Sequence, residues 1–181
     1  MGLVPMNDTL HAVFDSGPLI HLSELGALSL LDIFNIKKTT DVVSWEVKRH
    51  VSPNDLQYIA QRLNVSVHNE RIESGALRAL AKIYSLDTGE ISALALCDSL
   101  KHNVETVFFS DDSAARMASE GLGITSVGTI GIIIKSATLE KIEKTRALEL
   151  LNSIHVVSSL YIKLELLNTI MDRLRKEWSI P

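Results

Sequence analysis

The stretch AVFDSGPLI, residues 12–20, is an apolar run closed by an acid, a serine, a glycine and a proline. An uninterrupted apolar run followed by turn residues reads as a buried strand over residues 10–14 and a sharp turn. Pro18 suits the first position of a helix, where an N–H is not needed, and LIHLSELG carries that helix to Gly26. The same order of strand, acidic turn and helix returns in VFFSDDSAARMA, residues 107–118, where ETVFFS again lacks polar alternation. Two strands apolar on both faces, each feeding a helix, predict a parallel sheet covered by helices on both sides.

Working outward, ALSLLDIF reads as a short second helix, IKKTT as a strand and DVVSWEVKRHV as a helix stopped by Pro53. NVSVH, residues 64–68, is a third strand. ESGALRALAKIYS carries Leu77, Leu80, Ala81 and Tyr84 at helical spacing, and EISALALCDSLKH follows after a break at residues 87–89. DDSAARMASEGLG ends at glycine as helices commonly do, and ITSV is the fifth strand. GTIGIIIKSA, LEKIEKTRALELLNSI and SLYIKLELLNTIMDRLRKEW are three further helices, the last with Leu160, Leu164, Leu167 and Met171 at helical spacing.

A chain of 181 residues is long enough for one domain that buries roughly 70% of its unfolded surface. Residues 1–10 read as a loose leader, with Met6 an alternative start, and residues 11–178 as the single domain. The lone cysteine, Cys97, excludes an internal disulfide and reads as a small core residue. The longest apolar run, near residue 130, is well short of the ~20 residues a membrane span needs. There is no signal peptide pattern, which predicts a cytoplasmic protein. A net charge of −4 argues against a broad grip on duplex nucleic acid, but leaves room for a nuclease whose catalytic groups are acidic.

Four acidic positions recur where strands give way to helices: Asp15, Glu46, Glu90 and Asp111. In a parallel sheet, binding sites gather beyond the carboxyl ends of the strands. Asp15 follows the first strand, and Asp111 and Asp112 follow the fourth after one serine. Glu90 opens the helix before the fourth strand, and Glu46 lies in the helix after the second. Each also has a structural reading. Asp15 and Asp111 are good helix caps, Asp87 and Glu90 are spaced as a capping box, and Glu46 fits a solvated helix face. As a group, carboxylates brought together repel until a cation neutralises them, and oxygen-only ligands suit magnesium or manganese. His11, His21, His50, His68, His102 and His155 are too scattered for a zinc site.

The segments VFDSGPLIHL, VVSWEV, LDTGEISALALC and VFFSDDSAARMASEGLGI resemble, in this order, the PIN-domain family that includes VapC-type toxin ribonucleases. SVGTIGIII and LYIKLELLNTIM resemble a PIN subfamily of predicted nucleic-acid-binding proteins, so the resemblance runs from about residue 12 to 177. It implies a PIN-like, Rossmannoid α/β/α sandwich with a central, mostly parallel sheet of about five strands. It also implies magnesium- or manganese-dependent cleavage of RNA. Asp15, Glu46, Glu90 and Asp111 then correspond to the catalytic acids, with Asp15, Glu90, Asp111 and Asp112 as metal ligands. The third acid is often Asp in the family, which brings Asp87 forward as a substitute. The SDD run leaves the fourth acid open between Asp111 and Asp112. Ser16 and Ser110 are candidates for holding waters on the ion, and Lys48, Arg49 and Arg116 for contacting phosphates.

The resemblance further implies a homodimer and a small antitoxin partner. A non-catalytic module for binding nucleic acid or protein, with the acids as caps, is the competing reading. A phospho-acceptor domain fits less well because its acid pair should follow the first strand. Neither G-x-G-x-x-G nor G-x-x-x-x-G-K-[ST] is present.

Overall fold

The computed structural model describes residues 9–67 and 74–180. All but the last two positions of the expected leader, and His68, lie outside them. Five strands form one sheet in the order β3-β2-β1-β4-β5. They are β1 (His11–Phe14), β2 (Ile36–Thr40), β3 (Asn64–Ser66), β4 (Thr106–Phe109) and β5 (Thr125–Val127). Every neighbouring pair is parallel. The central strand β1 buries Ala12, Val13 and Phe14 in succession. Consecutive side chains point to opposite faces, so both faces are covered and the domain is an α/β/α sandwich.

The nine α-helices among the described residues are α1 (Ser16–Glu24), α2 (Asp41–Lys48), α3 (Pro53–Arg62), α4 (Gly75–Tyr84), α5 (Thr88–Leu100), α6 (Ser113–Gly121), α7 (Thr129–Thr138), α8 (Lys144–Val157) and α9 (Leu164–Trp178). Helix α5 lies across β1, β2 and β4, while α1 and α7 pack on each other and α8 packs on α7. Register sets Phe14 beside Phe109. Their rings stack with centroids 4.7 Å apart, and Phe34 meets both edge-on at 5.7 and 4.7 Å. This aromatic cluster lies one residue before Asp15 and Ser110, so packing in the core fixes where those side chains emerge.

Several local expectations change. Residues 28–33 form a 3₁₀ turn (Leu28–Ile33) rather than an α-helix. Pro53 starts a helix that the sequence reading did not assign. Ser52 accepts from the Asp55 N–H as the N-cap, and Pro53 takes the first turn, where its absent N–H leaves no bond unmade. Pro18 stands at the third helical position, not the first, because α1 begins at Ser16. Helix α8 starts five residues later than LEKIEKTR suggests. Glu140 adopts a left-handed conformation (φ 55°), and Lys141 N–H returns to the Ser136 carbonyl, which ends α7 and forces a connection.

Helix α9 likewise begins only at Leu164, leaving Leu164 exposed and burying Leu167, Met171 and Leu174. Leu160 is still buried, but from the segment between α8 and α9. Glu24 at the end of α1 holds that segment by accepting bonds from Ser158 and Ser159. Among the described residues, no helix is long and apolar enough to cross a membrane.

Candidate active site

The carboxyl ends of β1 and β4 are extended into the site by two backbone bonds. Asp15 N–H donates to the Phe109 carbonyl at 2.9 Å, and Ser110 N–H donates to the Val127 carbonyl at 3.1 Å. Asp15 is thereby held at the start of α1 with an extended backbone, as an N-cap residue would be. Its side chain makes no capping bond. One oxygen, Oδ2, instead accepts from the Ser110 hydroxyl at 2.9 Å. The other, Oδ1, is buried with no hydrogen-bond partner. With the residue only 5% exposed, burial pushes its carboxyl up to about 6, with Asp87 and Glu46 adding to the rise. The Ser16 backbone and the Ser110 hydroxyl pull the other way.

Glu46 and Glu90 share that environment. Burial first, then the charge of Asp87, raises Glu46, while Ser16, His50 and Arg49 restrain it. Glu90 is pushed up to about 7 by burial and by the charges of Asp87, Asp112 and Asp15, against a lowering bond from the Asp87 backbone. The capping box foreseen from spacing is complete. Asp87 Oδ1 accepts from the Glu90 N–H, and Glu90 Oε2 accepts from the Asp87 N–H, each at 2.8 Å. Glu90 is therefore a capping residue and a member of the acidic group at once. Asp87 raises Asp15, Glu46 and Glu90, Glu46 raises Asp15, and Asp15 and Asp112 raise Glu90, which is the electrostatic meaning of their proximity.

The approach of Glu46 depends on a residue that spacing alone did not single out. A Cβ on Gly89 would lie 2.7 Å from both oxygens of Glu46, so any other residue there would push this carboxylate off the first turn of α5. The buried Thr40–Ser92 hydroxyl bond, 2.7 Å long, ties the end of β2 to α5 at the same level.

The two consecutive aspartates separate in role. Asp112 is the N-cap of α6, accepting from the Ala115 N–H at 2.8 Å, and its own N–H donates to Ser110 Oγ. Asp111 turns to the other side. Its Oδ1 accepts from the Thr129 N–H, the first of α7, at 2.7 Å. Its Oδ2 takes the Thr129 hydroxyl and lies 2.7 Å from His21 Nδ1 of α1. Gly128 leaves room for this carboxylate, since a Cβ there would come within 2.6 Å of Oδ1. The expected capping of α6 by Asp111 is thus made by Asp112. Thr129 and His21 complete a three-helix lock that the sequence did not reveal.

Among the basic candidates, Lys48 is exposed on α2, and Arg49 lies within electrostatic reach of Glu46. Arg116 lines an open cavity of about 350 Å³ between α6 and β5, with Ser113, Met117 and Glu120. Cys97 is buried, and burial raises its thiol well above the ordinary range, as a packed core residue requires.

Whether this donor set suits a hard cation turns on how many carboxylates the ion needs. Among the described residues, no three Asp, Glu, His or Cys side chains form a group able to hold an ion by themselves. Magnesium does not demand one, since it keeps several waters and usually takes one or two carboxylates together with substrate phosphates. An all-oxygen acidic group around a buried carboxylate oxygen without a partner fits that pattern.

The parallel sheet, the acids beyond its carboxyl edge and the order of the segments define a class of protein, and residues 11–176 match the family DUF3368, described as a PIN domain. The chain belongs to that PIN-domain family. Members are generally nucleases that use divalent metals. No curated protein and no solved structure matches the chain.

The electrostatics predict how stability follows pH when no divalent ion is present. Asp15 and Glu90 ionise in the unfolded chain near the ordinary carboxyl values of 3.8 and 4.5, but in the native state only near 6 and 7. The native state therefore binds more protons across that window, and stability must fall as pH rises through it. At about 1.4 kcal/mol per pKa unit, Asp15 costs on the order of 3 kcal/mol at neutral pH. Urea unfolding in EDTA should show stability falling from pH 5 to 8, and Asp15→Asn should flatten the slope and stabilise the protein at pH 8. A flat wild-type profile would contradict the assignment. Asp111→Ala should do the opposite. It removes charge-assisted bonds to Thr129 and His21 and should lower stability by about 2–3 kcal/mol in the same assay.

Proposed function

We propose that the protein is a divalent-metal-dependent endoribonuclease that hydrolyses phosphodiester bonds in single-stranded or looped RNA. The observation that supports this reading is the buried, half-satisfied carboxylate of Asp15 among Glu46, Asp87, Glu90 and Asp112 at the carboxyl edge of the sheet. A structural cap would not leave an oxygen buried and unpaired.

Asp15, with either Glu90 or Asp112 beside it, would hold a hydrated magnesium or manganese ion, with Glu46 and Asp87 shaping the outer field. Once bound, such an ion polarises a phosphodiester and offsets charge on the departing oxygen of an in-line displacement. Ser110 fixes the rotamer of Asp15 through its hydroxyl. Ser16 acts on Glu46, and both serines are candidates for positioning water. Glu90 is partly protonated near neutrality and Asp15 about one pH unit lower, and arriving positive charge would favour release of both protons. Asp111 sets α1, α6 and α7 around the site and is a positioning residue in this account, not a ligand. Lys48, Arg49 and Arg116 are the candidates for meeting phosphates, a contact that would orient the backbone without reading sequence. In the cell we assign the protein to the cytoplasm, as a homodimeric toxin whose antitoxin would cover the acidic edge.

With magnesium or manganese, the wild type should cut single-stranded RNA. Asp15→Asn and Glu90→Gln should each lower kcat/KM by about 100-fold or more, as loss of preorganised charge does elsewhere, while circular dichroism stays native. Asp111→Asn should lose activity only to the extent that it loses stability. RNA binding without cleavage in any divalent ion, unchanged by Asp15→Asn, would instead assign the domain as a non-catalytic binding module.

A further inference from the structure

Trp45 is 61% exposed although α2 turns its neighbours Val43 and Val47 fully into the core. A large aromatic ring left in water beside a polar site loses the burial that would otherwise justify it. The ring is nonetheless held in place. Arg49, one helical turn on, sets its guanidinium 4.8 Å from the centre of the indole, a cation–π contact that orients both groups. Arg49 also lies close enough to Glu46 to favour its ionised form. Glu46, Arg49 and Trp45 therefore form a continuous strip leading from the acidic edge onto the outer surface of α2. Lys48, Arg49 and His50 are all exposed at the end of this helix, a local basic run in a chain of net charge −4.

We propose that Trp45 and Arg49 form a stacking platform for an unpaired nucleobase of single-stranded RNA next to the cleaved bond. The inference rests on the nuclease reading and extends it to a base-binding subsite that would enforce the single-stranded form. An indole offers a flat apolar face that any base can cover, and the basic run answers the phosphates on either side. A duplex hides its base faces in its own stack and cannot use such a surface. The platform therefore selects single strands and loops over helices, and it places a nucleotide without requiring a particular base.

Binding of a short single-stranded oligoribonucleotide, and of the same strand annealed to its complement, is measured in EDTA so that no cleavage intervenes. Tryptophan fluorescence and anisotropy are followed together. The single strand should quench wild-type fluorescence, and the duplex should not. Trp45→Ala should weaken single-strand binding by about 5- to 100-fold, the range of one lost base stack. Trp45→Phe should abolish the quench yet keep affinity within a few-fold, because a phenyl ring still stacks.

Equal affinity for single strand and duplex, or no loss of affinity in Trp45→Ala, overturns the platform. So does a sedimentation shift from dimer to monomer in Trp45→Ala, which would assign the surface to a contact between copies of the chain. These results are separable from the nuclease reading. Metal-dependent cleavage with no effect of Trp45 sinks only the platform. Quenching by single strands without cleavage in any divalent ion sinks only the nuclease.

Discussion

The structure is organised around a carboxylate that should not be comfortable where it sits. Asp15 ends the central strand, is almost fully buried, and keeps one oxygen without a hydrogen bond. Several features hold it there against that cost. The backbone bond from Asp15 to Phe109 continues the β1–β4 pairing past the last paired residue. The Phe14, Phe34 and Phe109 rings fill the layer beneath, and Ser110 pins the remaining oxygen. A chain selected for stability alone would place asparagine or an apolar residue at this position. Retaining an aspartate among four other acids is the stability–function exchange expected of a site that binds positive charge.

The neighbouring acids show how one short sequence divides labour. Asp111 and Asp112 follow the same strand, and successive residues leave a strand in opposite directions. One turns to α6, which it caps, and stays within the acidic field that raises Glu90. The other crosses to α7 and α1, where Thr129 and His21 satisfy it. The acidic edge is thus bounded by a lock of the same residue type, and the two differ only in the partners that meet them.

The strands β1 and β4, their parallel arrangement and the acids beyond them were legible in the sequence. A short apolar run without alternation, closed by turn residues, suits a strand buried on both faces. The Asp87–Glu90 box was legible because its spacing is local. What escaped the sequence reading was long-range or ambiguous in sign. Pro53 can end one helix or begin the next, and the Ser52 cap shows that it begins one. Helices α4 and α9 end on serines in left-handed conformations, where glycine is the usual signal. Gly89 matters only because Glu46, distant in sequence, lies against it. The different partners of Asp111 and Asp112 depend on Thr129 and His21, and no spacing rule connects those residues.

If a divalent ion takes up the charge of these acids, the protons they hold must leave as it binds. Calorimetric titration with manganese near pH 6.5, repeated in buffers of different ionisation enthalpy, counts the protons released on binding. Saturable binding with release of about one proton is expected, most of it from Glu90 and the rest from Asp15, with loss of most of that release in Glu90→Gln. No binding, or binding with no proton release, would contradict it.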